Sequence, residues 1–276
     1  MNFKIVTTFL DKPLKGSSVN KELLNPKARR HWYKNSDETI SRGMKFVEQA
    51  SKLLPDNVSL RVYYEGDDIP EDRDNVEFIP HDISKVEQFK RKADGKVIPK
   101  TFEKYDYNDW KKRINFASGY DYEFDAIRFC HPPFALIEAH NTIEERYLIS
   151  IDADVEIHEK IPNGFFESLV KDECYTSYLS RRPHKHMESA FIVWDTEHTA
   201  HTDWWKEYKL LYEDDKLFDI YDGWTDCHAF EHVNDKINKT YNINSNIIAL
   251  HQSHNVWEVS PLQKYMSHYK GTAIPV

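Results

Sequence analysis

Two aspartates one residue apart, Asp152 and Asp154, close the run Tyr147-Leu148-Ile149-Ser150-Ile151-Asp152-Ala153-Asp154-Val155. The run climbs out of charged sequence, is mostly apolar and then turns acidic. It predicts a buried strand that delivers two carboxylates to its carboxyl end. Hard divalent cations such as Mn²⁺ or Mg²⁺ take oxygen ligands and keep positions open for phosphate oxygens, so Asp152 and Asp154 are candidate metal ligands. A cation held there would bridge the two phosphates of a nucleoside diphosphate and neutralise the leaving group. Asp154 is the expected direct ligand, with Asp152 nearer a ribose or bridging through water. Aspartates also gather at turns for local hydrogen-bonding reasons, and that role stays open for this pair.

Two further sets of residues could act with it. His251 follows the apolar run Ile247-Ile248-Ala249-Leu250. It is placed as a ligand arriving from another part of a sheet would be, and an imidazole completes a shell of carboxylate and phosphate oxygens. The chain has 14 histidines, and an ordinary hydrogen-bonded histidine is the competing reading; His254 is the fallback. Asp226, in Asp222-Gly223-Trp224-Thr225-Asp226, and Glu231 are candidate proton acceptors. Transfer to a hydroxyl with inversion needs a carboxylate to take the proton. Capping of a helix start serves Asp226 equally well.

The elements that must position these groups alternate. Phe3 to Leu10 reads as a strand, Ser36 to Leu54 as a helix ended by Pro55, Ser59 to Glu65 and Val76 to Pro80 as strands. Pro132-Pro133 breaks the next stretch and leads into a helix over Phe134 to His140, just before the acidic strand. A strand over Ser189 to Trp194, a helix over Thr199 to Glu213, a helix from Asp222 to about Val233 and the strand at Ile247 follow. Such alternation suggests an open α/β sheet with ligands at the carboxyl ends of its strands. The tail, with Trp257, Tyr265 and Tyr269, reads as an ordered wrap.

At 276 residues the chain is long enough for a sizeable core, and a net charge of -9 argues against a surface built wholly to grip nucleic acid. Residues 85–113 are the exception. Lysines and arginines there interleave with Tyr105, Tyr107 and Trp110, which reads as a solvated helix and loop or as a patch for a phosphate-bearing partner. Three scattered cysteines form neither a zinc spacing nor a disulfide framework. The first residues lack the apolar core of a signal peptide, and no run approaches the roughly 20 apolar residues of a membrane span. The expectation is a cytoplasmic protein with no membrane span.

Three segments in order, Asp125-Ala126-Ile127-Arg128-Phe129, Tyr147 to Asp154, and Asp222 to Asp226 with His251 later, resemble the GT-A class of nucleotide-sugar glycosyltransferases, most of all small members from phages and marine microbes. The resemblance implies a single GT-A-like, Rossmann-like domain: an open mixed sheet flanked by helices, with residues 1–155 as the nucleotide-binding half and 156–276 as the acceptor half. It implies transfer, dependent on Mn²⁺ or Mg²⁺, from a UDP-sugar or GDP-sugar, with UDP favoured. Thr7, Thr8 and Phe9 would hold the base and ribose, Arg128 would lie near the donor, and the Ser189-Ala190 edge would face the sugar. The acceptor would be a glycan, a protein or a hydroxymethylated DNA base. Relatives often carry a lysine shortly after the Arg-Phe pair, where this chain has Pro132-Pro133, so Arg181 or Arg182 is the expected substitute. Two other classes compete. A haloacid-dehalogenase-like phosphatase would use Asp152 as nucleophile and Asp154 as general acid, with Asp214-Asp215 as its weak downstream acidic pair. A non-catalytic module would bind glycan or nucleic acid through its aromatics and basic stretch.

Overall fold

The computed structural model describes residues 1–9, 36–66, 68–94, 96, 122–182, 186–220, 222–251 and 256–268, with the backbone only for 36–42 and 122. A sheet of seven strands forms its middle. In chain order these are β1 (Phe3–Phe9), β2 (Val58–Tyr64), β3 (Val76–Pro80), β4 (Tyr147–Ile151), β6 (Thr176–Ser180), β7 (Glu188–Asp195) and β8 (Asn246–Leu250). The spatial order is β3-β2-β1-β4-β7-β6-β8. A two-stranded ribbon joins β5 (Val155–Ile157) to β9 (Met266–His268). Every pairing in the large sheet is parallel except those of β7, which runs against β4 and β6. This is the open mixed α/β sheet expected from the alternation of strands and helices.

The chain leaves β1 toward β2 and β3 on one side and returns with β4 on the other. The crevice beyond the carboxyl ends of β1 and β4 is therefore the switch point where ligands bind in such sheets. The reversal of β7 brings its first residues, Glu188 and Ser189, to that same edge beside the end of β4.

Alternation along each strand divides the core into two layers. Val6, Leu148, Ile192 and Trp194 face one side, with helices α2 (Ile83–Asp94), α4 (His131–His140), α5 (His201–Glu213) and α6 (Asp226–Tyr241); the one-turn α3 (Ala126–Phe129) lies with them. Ile5, Ile149, Phe191 and Val193 face the other side, with α1 (Ser36–Leu53) and Trp257. The aromatic richness of the sequence is spent largely here: Trp194, Trp204, Trp205 and Trp257 are fully buried.

Both prolines of Pro132-Pro133 lie in the first turn of α4, which starts at His131 rather than Phe134. Proline suits that turn because its missing N–H has no partner there anyway. The last α-helix opens at Asp226 behind a Thr225 cap and continues to Tyr241, well past Val233. In α2, Val86 and Phe89 are buried while Lys85 pairs with Glu213 and Lys92 with Asp215. The described part of the basic stretch is thus an amphipathic helix with paired lysines; residues 97–121 lie outside the described residues, as do Leu10, His254 and Tyr269.

Gly43 shows how tightly α1 sits on the sheet. A Cβ at this position would fall 2.6 Å from the ring of Phe9. Alanine is ordinarily favoured over glycine inside a helix by about 1 kcal/mol. Here overpacking reverses the sign, and Gly43→Ala is expected to lower unfolding stability by about 1–3 kcal/mol in urea titration, with Phe9→Leu in the same chain recovering part of the loss.

Candidate active site

β4 is buried along its whole length and ends where Asp152 N donates to Ala190 O of β7. The chain then turns at once, with Val155 N donating to Asp152 O, and enters β5. Asp152 and Asp154 occupy this turn and are half-buried. The turn chemistry open to an Asp-x-Asp pair is therefore real, but it is not all the structure does with these residues.

The β5–β9 ribbon sets His268 opposite Val155 in the register, directly beside the turn. His268 Nε2 lies 3.2 Å from Asp154 Oδ1 and 3.9 Å from Asp152 Oδ2. Ligand-capable atoms of the three residues fall within 4.8 Å of one another, and this is the one such group among the described residues. The imidazole is fixed from behind by Trp257, whose ring lies 5.5 Å away and whose indole N–H donates to Met266 O. Two carboxylates and one imidazole suit a divalent cation such as Mn²⁺ or Mg²⁺.

Nothing in local sequence marks His268. It is far from the acidic pair in the chain and reaches it only through strand pairing. His251 occupies the same edge, after β8, but β7 and β6 lie between it and β4, roughly 14 Å of sheet at ~4.8 Å per strand. Its backbone N–H closes onto Ser180 O. The imidazole that the structure sets beside the aspartates is that of His268.

Electrostatics at this edge are strained toward protonation. Burial, then the neighbouring Asp154, push Asp152 up to about 8, with Asp226 and Glu188 adding to the rise. The side chain keeps 35% of its surface exposed, so solvent screens part of this without changing its direction. Burial pulls His268 down, but its hydrogen bond and attraction to Asp154 outweigh that and leave it raised.

Asp226 is the first residue of α6, and its Oδ1 accepts from Cys227 N. Burial raises its carboxyl, while hydrogen bonds from Ser189 and Cys227 hold the rise in check. Ser189 is the second residue of β7, the strand next to β4, so Asp226 faces the edge that carries Asp152. Glu231 has a different task. It accepts from Met187 N, Arg182 Nε and His186, and so ties α6 to the segment before β7. Arg182 also pairs with Asp235, and Arg181 donates to the carbonyls of His186 and Met187. Both guanidinium groups are engaged in holding that segment, which argues against their replacing a pyrophosphate lysine.

At the β1 end, Thr8 is half-buried and donates to Tyr63 O. Thr7 is buried, and the Phe9 ring packs on Tyr64 and α1, so Phe9 can face the crevice through its backbone only. Arg128 is half-buried on α3, which Asp125 caps.

No family model matches the sequence, and no curated protein matches it. Among solved structures the chain is similar to mouse xyloside xylosyltransferase 1 in its apo form, at 10% identity and a TM-score of 0.43 over 90% of this chain and 86% of that one. It is also similar to the apo form of the glycosyltransferase GlyE from Streptococcus pneumoniae TIGR4, at 9% identity and a TM-score of 0.39, over 90% of this chain but only 45% of that one. Among the described residues no helix is long and apolar enough to cross a membrane.

The raised carboxyl yields a pH prediction. An unfolded Asp titrates near 3.9, below the folded Asp152. Its protonation thus favours the metal-free fold fully below about pH 4, and this is lost as the pH rises through about 8. Cation binding needs Asp152 ionised and His268 unprotonated, so Mn²⁺ affinity measured by calorimetry is expected to rise at least about tenfold per pH unit from 6 to 8 and then level off.

Proposed function

We propose that this chain is a glycosyltransferase that moves a sugar from a nucleoside-diphosphate sugar to a hydroxyl acceptor. The observation that carries the reading is the convergence of Asp152, Asp154 and His268 at the carboxyl end of β4, beside the switch point of an open sheet. These three residues would hold a divalent cation, which supplies Lewis-acid neutralisation of the departing diphosphate.

The chain's own groups do the rest. Thr8 and the backbone of Phe9, at the end of β1, line the nucleoside side of the crevice. Arg128 places a cation near the donor. Ser189 holds Asp226 by a hydrogen bond at the edge of β7, where the sugar and acceptor meet. A carboxylate whose proton affinity is raised by burial is suited to take the acceptor's hydroxyl proton. Residues 1–155 then form the donor half and residues 156–276 the acceptor half, except that His268 crosses back to the donor. UDP is the favoured nucleotide, and a hydroxyl of a glycan, a protein or a hydroxymethylated base is the acceptor class.

The test is a thermal-shift panel of UDP-, GDP- and dTDP-sugars with and without Mn²⁺. A stabilisation of about 5 °C or more that needs both the metal and one nucleotide class is expected at ligand near a hundred times Kd. Asp154→Ala should abolish it. A shift that survives Asp154→Ala, or Mn²⁺-dependent phosphate release from a simple phosphomonoester without any nucleotide effect, would overturn the reading, the latter in favour of a phosphatase.

Asp226→Asn separates chemistry from binding. Donor-dependent stabilisation should persist while transfer to acceptor falls by about 10²-fold or more. Equal loss of both would mean that Asp226 organises the edge rather than moving a proton.

A further inference from the structure

A second buried polar group lies beyond the carboxyl ends of β2 and β3, and the proposed chemistry does not use it. Glu65 follows β2, and its side chain is 2% exposed. His131, the first residue of α4, sets its Nδ1 2.7 Å from Glu65 Oε1. Thr8 Oγ1 lies 3.5 Å from the same oxygen, so the pair adjoins the end of β1. His81, which follows β3, turns Nδ1 to Glu138 Oε2 at 3.3 Å and Nε2 toward Glu65 at 3.9 Å.

Both histidines are more than nine-tenths buried, and the Nε2 atoms of both lack a hydrogen-bond partner among the described residues. Buried polar atoms without partners are rare, and each calls for a reason. His81 Nε2 has a carboxylate close by. Among the described residues nothing hydrogen-bonds His131 Nε2, so a group from outside them would satisfy it.

The place of this group narrows the ligand. The switch point lies between β1 and β4. The acidic pair flanks it on the β4 side, and Glu65 with His131 flanks it on the β1–β2 side. On the glycosyltransferase reading, a nucleoside diphosphate with its phosphates at the acidic pair would extend its nucleoside across the switch point toward β1 and β2.

We propose that His131, oriented by Glu65, reads the hydrogen-bonding edge of the donor's nucleobase and selects bases that carry a ring N–H. The inference rests on the glycosyltransferase reading and names a specificity determinant within it. In the tautomer that donates Nδ1–H to the carboxylate, Nε2 presents a lone pair. That lone pair accepts from N3–H of uracil or thymine, or from N1–H of guanine. Against N3 of cytosine or N1 of adenine it meets a second lone pair. Glu65 is a positioning residue in this scheme, because it sets which nitrogen of His131 carries the proton.

UDP and CDP are nearly the same shape and differ at this edge, so their ratio of affinities is the readout. Calorimetry on the full chain with Mn²⁺ should give UDP binding at least about tenfold tighter than CDP, as expected of a site built to pair with one hydrogen-bonding pattern. His131→Leu should bring the ratio to within about twofold while circular dichroism shows the fold intact, and Glu65→Gln should reduce it. A wild-type preference for CDP, or a UDP preference that survives in His131→Leu, overturns the proposal and leaves the donor reading standing. Should His131→Leu not fold, Glu65→Gln decides: a reduced ratio supports the proposal and an unchanged one overturns it. If the wild-type chain binds neither nucleotide with Mn²⁺, the donor reading itself fails and this proposal falls with it.

Discussion

Two carboxylates held one residue apart in a half-buried turn repel each other, and the rest of this structure is arranged around that repulsion. Burial alone would drive Asp152 to keep its proton, and Asp154 beside it adds to the drive. The fold answers with one imidazole, His268, close to both. One imidazole can offset at most one of the two charges. Asp226 and Glu188 also raise Asp152 across the edge, so once both carboxylates ionise negative charge is in excess. A site of this kind favours a divalent cation and, through it, an anionic ligand that two bare carboxylates would repel.

Topology sets where that charge is concentrated. Had β7 run parallel to β4, Glu188 and Ser189 would lie at the opposite end of the sheet. Its reversal adds a second source of side chains to the edge already formed by β1, β2 and β4. The α6 helix then begins against Ser189, so its first residue, Asp226, joins the group. Behind this edge the polar network of Arg181, Arg182, His186 and Glu231 fixes the approach to β7. Those residues carry charge near the site and use it to hold backbone, which is why charge type alone is a poor guide to chemistry.

Close packing supports the placement from both faces. Phe9 turns its ring into α1 at a position only glycine leaves open, which frees the backbone at the end of β1 for the crevice. Gly223 serves the other face. A Cβ there would collide with the His228 ring, and His228 in turn closes on Thr225, the residue that caps α6 ahead of Asp226. The two glycines permit close approach on which the geometry of the edge depends.

The sequence by itself determined most of the strands and helices that carry the sheet, and the location of its acidic edge. Apolar runs at β1, β4 and β7, helical spacing in α1 and α5, and the Asp-x-Asp pair following β4 are local signals, and short-range sterics and burial make them reliable. Tertiary structure alone decided which histidine meets the pair. β5 and β9 are three residues each, too short for periodicity, and their register joins residues more than a hundred positions apart. It also decided that β6, with its sequence Thr-Ser-Tyr-Leu-Ser, is a buried central strand, since no alternation of polar and apolar residues announces one. Glu65 likewise reads as an ordinary strand end, and His131 as part of the stretch broken by Pro132-Pro133, until the fold brings them together. Pairings between distant segments depend on the whole chain's packing, and no window of residues holds the information that fixes them.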